Sequence, residues 1–457
     1  MILVLSLAVG MVLADSAIVT LALPQILRDL DTEVGQVVWV LMAYNLVLAL
    51  AAVPAARLCV RAGRAPVVGA CGLVIFAAAS AACALAGTLE VLVAARVVQA
   101  VGGALVICAC LDLLVLACGD ERRGAARWAA AGVAGAAIGP VAGGLLTQAI
   151  SWQAIFIVQV PLVLLALPAA LALRGKAAAT PDAVPRPTTR ADRPHAAANI
   201  ALGLLSAALT AALFLLVLLL VEGWRRSPAL AALTVTVIPV AAIAAGSLAR
   251  AARAGIRAEA VAGAILLAGG LVALALLPDA NPAWTLAPQA LIGVGLGLTV
   301  DSLTAVALRD RFPRALHGGW TIAARHAGVV AGLALLTPIF TADLRDAQAP
   351  AQEAIAALVL DARLPATAKL DLADGLGRQL DAEAGRVPDL APAFGAVRLS
   401  PEDRPRAAAL ELALDDQLER AATRAFRDAF LVAGALALLA ILPSLLLRAA
   451  RPEGVAS

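Results

Sequence analysis

Charged residues make up 15% of the 457 residues and aromatic residues only 3%, whereas an ordinary soluble domain carries about 25% charge. A soluble globule of this length could not hide so much apolar surface, so that class is excluded first. The formal net charge is +3, too small to suggest a nucleic-acid partner. No GxxxxGK[ST] loop is present; Gly175-Lys176 lies in a proline-rich stretch without the surrounding glycines, which argues against ATP hydrolysis. There is also no His/Glu/Asp cluster at one membrane face of the kind an embedded hydrolase or transferase needs, so no enzyme activity, cofactor or metal is expected. The six cysteines fall between Cys59 and Cys118, all in or beside apolar segments, and read as small buried thiols rather than a disulfide framework or metal site. With so few aromatic faces to hold lipophilic cations, a cavity of Leu, Val and Ala suits neutral compounds better.

What is abundant is apolar sequence, 62% of the chain. Runs of about 20 apolar residues recur from Ile2 onward, each long enough to cross a hydrocarbon core roughly 30 Å thick. They predict twelve transmembrane helices near 2–23, 36–56, 66–87, 91–117, 128–148, 153–173, 200–221, 229–249, 260–277, 285–307, 320–340 and 430–448. The fold class is an all-α polytopic membrane protein of two six-helix bundles, 1–173 and 200–448. A linker at 174–199 separates the bundles, a large loop at 341–429 interrupts the second, and a tail at 449–457 follows. The linker carries Pro181, Pro185, Pro187 and Pro194 and is expected to be semi-extended.

One alternate set of connections holds Arg57, Arg61 and Arg64; Arg122, Arg123 and Arg127; Arg174, Lys176, Arg186, Arg190 and Arg193; Arg250, Arg253 and Arg257; Arg309, Arg311 and Arg314; and Arg448 and Arg451. The short connections of the opposite set hold only Arg28, Arg225 and Arg226. The positive-inside rule then places both termini and the linker in the cytoplasm and the 341–429 loop outside. That loop holds 16 of the 32 acidic residues against 11 basic ones. Its apolar residues recur at helical spacing in EAIAALVLDARL and AALELALDDQLERAATRAF, predicting short amphipathic helices that serve as an exposed cap or as a gate for the outer mouth. A basic Arg-Ala-Gly connection recurs six helices apart, Arg61 to Gly63 and Arg253 to Gly255, as expected of parallel repeats.

Ionisable residues inside spans are costly and face a partner or a wet cavity. Asp15 in helix 1 and Arg96 in helix 4 lie at matching depths, roughly 12 and 8 Å below the outer surface. They are read as facing a shared interior, either as a pair that protonation of Asp15 loosens or as a permanent pair that holds helices together. Asp301 in helix 10 and Arg325 with His326 in helix 11 match near the inner side. They form a second candidate acid–base group, although a histidine satisfied by packing is the commoner case. Asp112, low in helix 4, fits either a functional site or the inner interface. Tyr44, Asn45 and Gln99 are polar positions that either line a substrate cavity or pack between helices. Helix 5 contains GVAGAAIGPVAGG, with Gly135, Gly139, Pro140, Gly143 and Gly144; small residues four apart let helix backbones approach closely. The six tryptophans all fall near predicted helix ends, where interface anchoring accounts for them.

These residues together resemble the drug-proton antiporter branch of the major facilitator superfamily, EmrB/QacA type. DSAIVTLALP, Asp15 to Pro24, is similar to that branch's first-helix motif with Thr20 in place of asparagine. RVVQAVGGA resembles its R-x-x-Q-G motif through Arg96 and Gln99, with Ala100 where glycine is usual. GxxxGPxxGG looks like the antiporter motif, and SWQAIFIVQVP and ARHAGVVAG also fit. The loop after helix 2 resembles the superfamily's conformational motif through Leu58, Arg61, Gly63 and Arg64, following Arg57, but Val60 replaces its acid and Ala56 its first glycine. Many members of the branch have fourteen spans rather than twelve.

The resemblance implies alternating access, with proton entry driving export of a small hydrophobic or amphipathic molecule, and places Asp15 and Arg96 in the coupling machinery. The expected setting is a bacterial inner membrane, with protons, a small-molecule substrate and lipid as partners and a monomer as the unit. A metabolite facilitator or importer of the same fold, or a non-transporting sensor built on the outer loop, remains an alternative.

Overall fold

The computed structural model describes residues 1–60, 63–178, 193–252, 255–309, 311, 313–382 and 390–447. Twelve helices among them are long and apolar enough to cross a membrane. They are α1 (Ile2–Asp29), α2 (Trp39–Val60), α3 (Ala65–Ala84), α4 (Leu89–Cys118), α5 (Glu121–Ala149), α6 (Gln153–Leu164, continued by Leu167–Ala172), α7 (Arg193–Leu218), α8 (Pro228–Val235 and Val237–Ala252), α9 (Ile256–Ala275), α10 (Ala283–Leu308), α11 (Arg314–Asp361), and a twelfth described below. Their ends follow local chemistry. The Thr88 hydroxyl accepts from the Val91 N–H at the start of α4 (3.4 Å), and the Asp120 carboxylate accepts from the Arg123 N–H at the start of α5 (2.6 Å). Gly119, at φ 65°, closes α4 in the left-handed conformation.

Large apolar side chains such as Leu50, Ile138 and Leu248 are exposed. In water this would be a liability; along a span it is the surface that lipid covers.

The largest departure from the sequence reading is the end of the chain. α11 does not stop near 340 but runs 48 residues to Asp361, about 70 Å, more than twice a bilayer core. It is followed by α12 (Ala366–Ala382), α13 (Ala391–Ala396) and α14 (Arg404–Ala425), which passes almost directly into the last span, α15 (Arg427–Leu439). The amphipathic segments are thus two extensions of spans and two added helices. Their apolar stripes, including Ile355, Val359, Leu376, Leu390, Leu410 and Leu414, close into a separate core. This cap docks on the α7–α8 connection: Arg225 pairs with Asp415 (2.9 Å), Arg226 with Glu419 (3.5 Å), and the Trp224 indole N–H donates to Thr423 (2.9 Å).

The two halves meet at the cap end, where Arg28 of α1 pairs with Glu222 (3.3 Å) and Gln148 of α5 accepts the Ala229 N–H of α8 (2.8 Å). α2 and α11 also pack together; a side chain on Gly319 would meet Ala52 and Ala56. Most of the linker (179–192), the tail, Arg61 and Arg253 lie outside the described residues. The Arg-Ala-Gly echo therefore has no structural counterpart to compare.

Candidate functional site: a buried polar cage in the first half

Asp15 and Arg96 are both fully buried and in direct contact, Arg96 Nη1 lying 2.5 Å from Asp15 Oδ2. The depths reckoned from helix ends thus correspond to an ion pair between α1 and α4. α5 sets the position of α1. Gly135 and Gly143 lie where any side chain would collide with the backbone of Gly10 and Ile18, and Gly139 faces Ala14. The glycine motif therefore clamps α1 along the turns that flank Asp15.

Arg96 is held on several sides. Its Nη1 also donates to Gln99 Oε1 (2.6 Å), and its Nε donates to the Val40 carbonyl (3.2 Å). Its guanidinium carbon lies 4.0 Å from the Tyr44 ring centroid and 5.8 Å from that of Phe156. Nη2 has no hydrogen-bond partner, so the aromatic faces are its compensation. The Tyr44 hydroxyl donates to the Val12 carbonyl (3.2 Å), tying α2 to α1.

The far side of Asp15 is closed by Gln159 of α6, whose Nε2 donates to Asp15 Oδ1 (2.9 Å). Gln159 Oε1 accepts from Gln99 Nε2 (2.9 Å), which also donates to Ser80 Oγ of α3 (2.8 Å). Gln159 and Ser80 were not singled out from the sequence. Each is a lone uncharged polar residue in an otherwise apolar run, and asking every such amide or hydroxyl for its partner would have found them.

Of the two readings of Tyr44, Asn45 and Gln99, this conformation shows the packing between helices. All three are at most 1% exposed. Tyr44 and Gln99 wall the cage. Asn45 instead faces the other half: it donates to the Leu41 carbonyl (2.8 Å), contacts Ser16, and accepts from His326 Nδ1 of α11 (2.7 Å).

The second acid–base group does not assemble as expected. His326 bonds Asn45, Asp301 is exposed, and among the described residues no ion pair joins Arg325 to Asp301. The reason is rotational: helix ends gave matched depths but not which face each side chain occupies. Arg57 and Arg64 are exposed and without ion pairs among the described residues, and Gly63 makes the turn after α2 with φ 70°. Two tryptophans also depart from interface anchoring. Trp152 and Trp224 are fully buried, Trp152 packed edge-on against Phe156 behind the cage and Trp224 beneath the cap.

A profile of the Major Facilitator Superfamily matches residues 5–337. The chain belongs to that superfamily. It is 38% identical over 162 residues to the methylenomycin A resistance protein of Streptomyces coelicolor, covering 34% of this chain and 34% of that protein. It is 39% identical over 175 residues to the tetracenomycin C resistance and export protein of Streptomyces glaucescens, covering 37% and 32%. The matched stretches therefore span about a third of these relatives. Among solved structures, a bacterial homologue of the human lysosomal transporter Spinster, in an inward-facing and unoccupied conformation, superposes with a TM-score of 0.56 at 16% identity. That match covers 97% of each chain and shows a shared fold. With twelve apolar spans among the described residues, this superfamily member is a multi-pass membrane protein.

Proposed function

We propose that the chain is a secondary transporter that exchanges protons for small hydrophobic or amphipathic compounds, exporting them from a bacterial cell by alternating access. The observation that carries this reading is the Asp15–Arg96 pair, two opposite charges with no exposed surface, one in α1 and one in α4, both apolar spans where charge is costly. Ionised, Asp15 holds Arg96 and the walls of the cage together; protonated, it loses its charge and the attraction to Arg96 falls away. The two protonation states thus favour different arrangements of α1 against α4 and α6, which is what coupling requires. One proton crossing 100 mV supplies about 2.3 kcal/mol, roughly a 50-fold concentration ratio before any pH gradient is added.

The names of two relatives, one for resistance to methylenomycin A and one for resistance to and export of tetracenomycin C, support a small-molecule substrate of that kind. The arginine asymmetry supports cytoplasmic termini, an outward-facing cap and the inner membrane as location. The monomer is a complete unit in this reading, because the cage draws only on one half of one chain.

Methylenomycin A and tetracenomycin C are the first probes. Purified protein in proteoliposomes with an imposed pH gradient is expected to move at least one of them and to pass protons only when it is present. Absence of both movements across a panel of small antibiotics would sink the proposal.

A further inference from the structure

The hydrogen bonds of the cage run in one direction. Arg96 Nη1 donates to Gln99 Oε1, Gln99 Nε2 donates to Gln159 Oε1, and Gln159 Nε2 donates to Asp15 Oδ1, while Arg96 Nη1 donates to Asp15 Oδ2. Donors flow from the guanidinium to the carboxylate by two routes, one direct and one through two amides. An ionised carboxylate only accepts, whereas a protonated one must also donate. A proton on Oδ2 therefore faces an Arg96 N–H, and a proton on Oδ1 faces the Gln159 N–H.

We propose that Gln159 is a positioning residue for proton exchange at Asp15: its amide favours the ionised carboxylate and reverses when the carboxylate takes a proton. This rests on the reading of Asp15 as the proton carrier. Reversal turns Gln159 Oε1 toward the new O–H and Nε2 toward Gln99 Nε2, two donors face to face. Gln99 must then turn as well, which takes its Oε1 away from Arg96. A single proton thus takes the Gln99 carbonyl from Arg96 Nη1 and reduces Asp15 Oδ2 from a charged to a neutral acceptor, leaving the guanidinium more dependent on the Val40 carbonyl and the Tyr44 face. The bonds exchanged are hydrogen bonds only, and the proton stays on Asp15.

The charged and titratable groups facing Asp15 are few. α4 contributes Arg96, α2 contributes Tyr44, and α3 contributes Cys83, whose sulfur lies 3.8 Å from Gln99 Oε1. α6 contributes the uncharged Gln159 and Phe156, and α5 its small residues. Among the described residues, Gln159 is the one uncharged side chain that bonds the carboxylate directly.

The test needs no substrate. The infrared carbonyl band of a protonated carboxylic acid is titrated in purified protein, and the part that disappears in Asp15→Asn is assigned to Asp15. In Gln159→Leu the midpoint of that band is expected to rise by about one pH unit, a tenfold gain in proton affinity, because a donor to the ionised form is gone. Gln159→Glu keeps the volume and a polar end should the leucine variant fail to fold. It places a second carboxyl beside the first, so protonated acid is expected to persist to higher pH than in the unmodified protein. An unchanged or lowered midpoint in the folded variants overturns the role of Gln159 while leaving Asp15 as carrier. If no Asp15-dependent band titrates in the unmodified protein, the carrier reading itself fails.

Discussion

The two halves of the molecule share a frame but not a chemistry. In the first half α5 packs on α1 through Gly135 on Gly10 and Gly139 on Ala14; in the second, α11 packs on α7 through Gly328 on Gly203 and Gly332 on Ala207. The paired residues are separated by the same length of chain in both halves. Gly72 of α3 meets Gly102 of α4, and Gly263 of α9 meets Gly295 of α10 in the same way. These contacts set α1 against α7, α5 against α11 and α4 against α10 in matching register. Asp15 follows Gly10 by as many positions as Ala208 follows Gly203, and Arg96 precedes Gly102 by as many as Gln289 precedes Gly295. Where the first half has a buried carboxylate and guanidinium, the second has alanine and glutamine. Gln289 is fully buried, donates to Thr285 (2.8 Å), and leaves its carbonyl oxygen without a partner. Repetition therefore accounts for the scaffold, while the ion pair belongs to one copy of it, as a site maintained for a task would.

The largest loss is expected on removing one partner of the pair. Arg96→Leu strands a buried carboxylate and is expected to destabilise the protein by about 3–5 kcal/mol, with Asp15→Asn/Arg96→Leu recovering much of that loss. Thermal unfolding in detergent at neutral pH reads both; a mild single mutant would mean that Asp15 is not charged in its cage. Next in size are the helix clamps. Gly135→Val and Gly328→Val each force a side chain into a neighbouring backbone and should cost similar amounts, at or above the upper end of about 1–3 kcal/mol. Strongly unequal losses in the same melting assay would show that the two frames are not equivalent. The smallest effect is expected at the position matching Arg96. Gln289→Leu removes an unpartnered carbonyl along with one hydrogen bond and should stay within about 1 kcal/mol of the parent. A loss well beyond that would give the second half a polar site of its own.

Helix number and type were legible in the sequence because each apolar run is bounded by arginines, prolines or caps. The ends of α11 and α14 were not, since their amphipathic extensions continue the 3.6-residue period and Pro338 and Pro350 are accommodated inside α11. Asp15 and Arg96 stood out because charge in hydrocarbon is costly enough to mark a site by itself. Gln159 and Ser80 did not, because a lone amide or hydroxyl is common between packed helices and only its partners reveal its use. The grouping of Asp301 with Arg325 and His326 failed for a third reason. Depth along a helix follows from counting residues, whereas facing depends on how each helix is rotated in the bundle, and α11 turns His326 toward Asn45 of the other half.

If Asp15 takes and releases the driving proton, as proposed, Asp15→Asn in proteoliposomes under an imposed pH gradient is the decisive variant. The variant is expected to insert and fold, to lose gradient-driven movement of the transported compound and to lose the accompanying proton flux, whereas Gln289→Leu retains both. An Asp15→Asn protein that still couples antibiotic movement to protons, with an unaltered pH profile, would contradict the proposal.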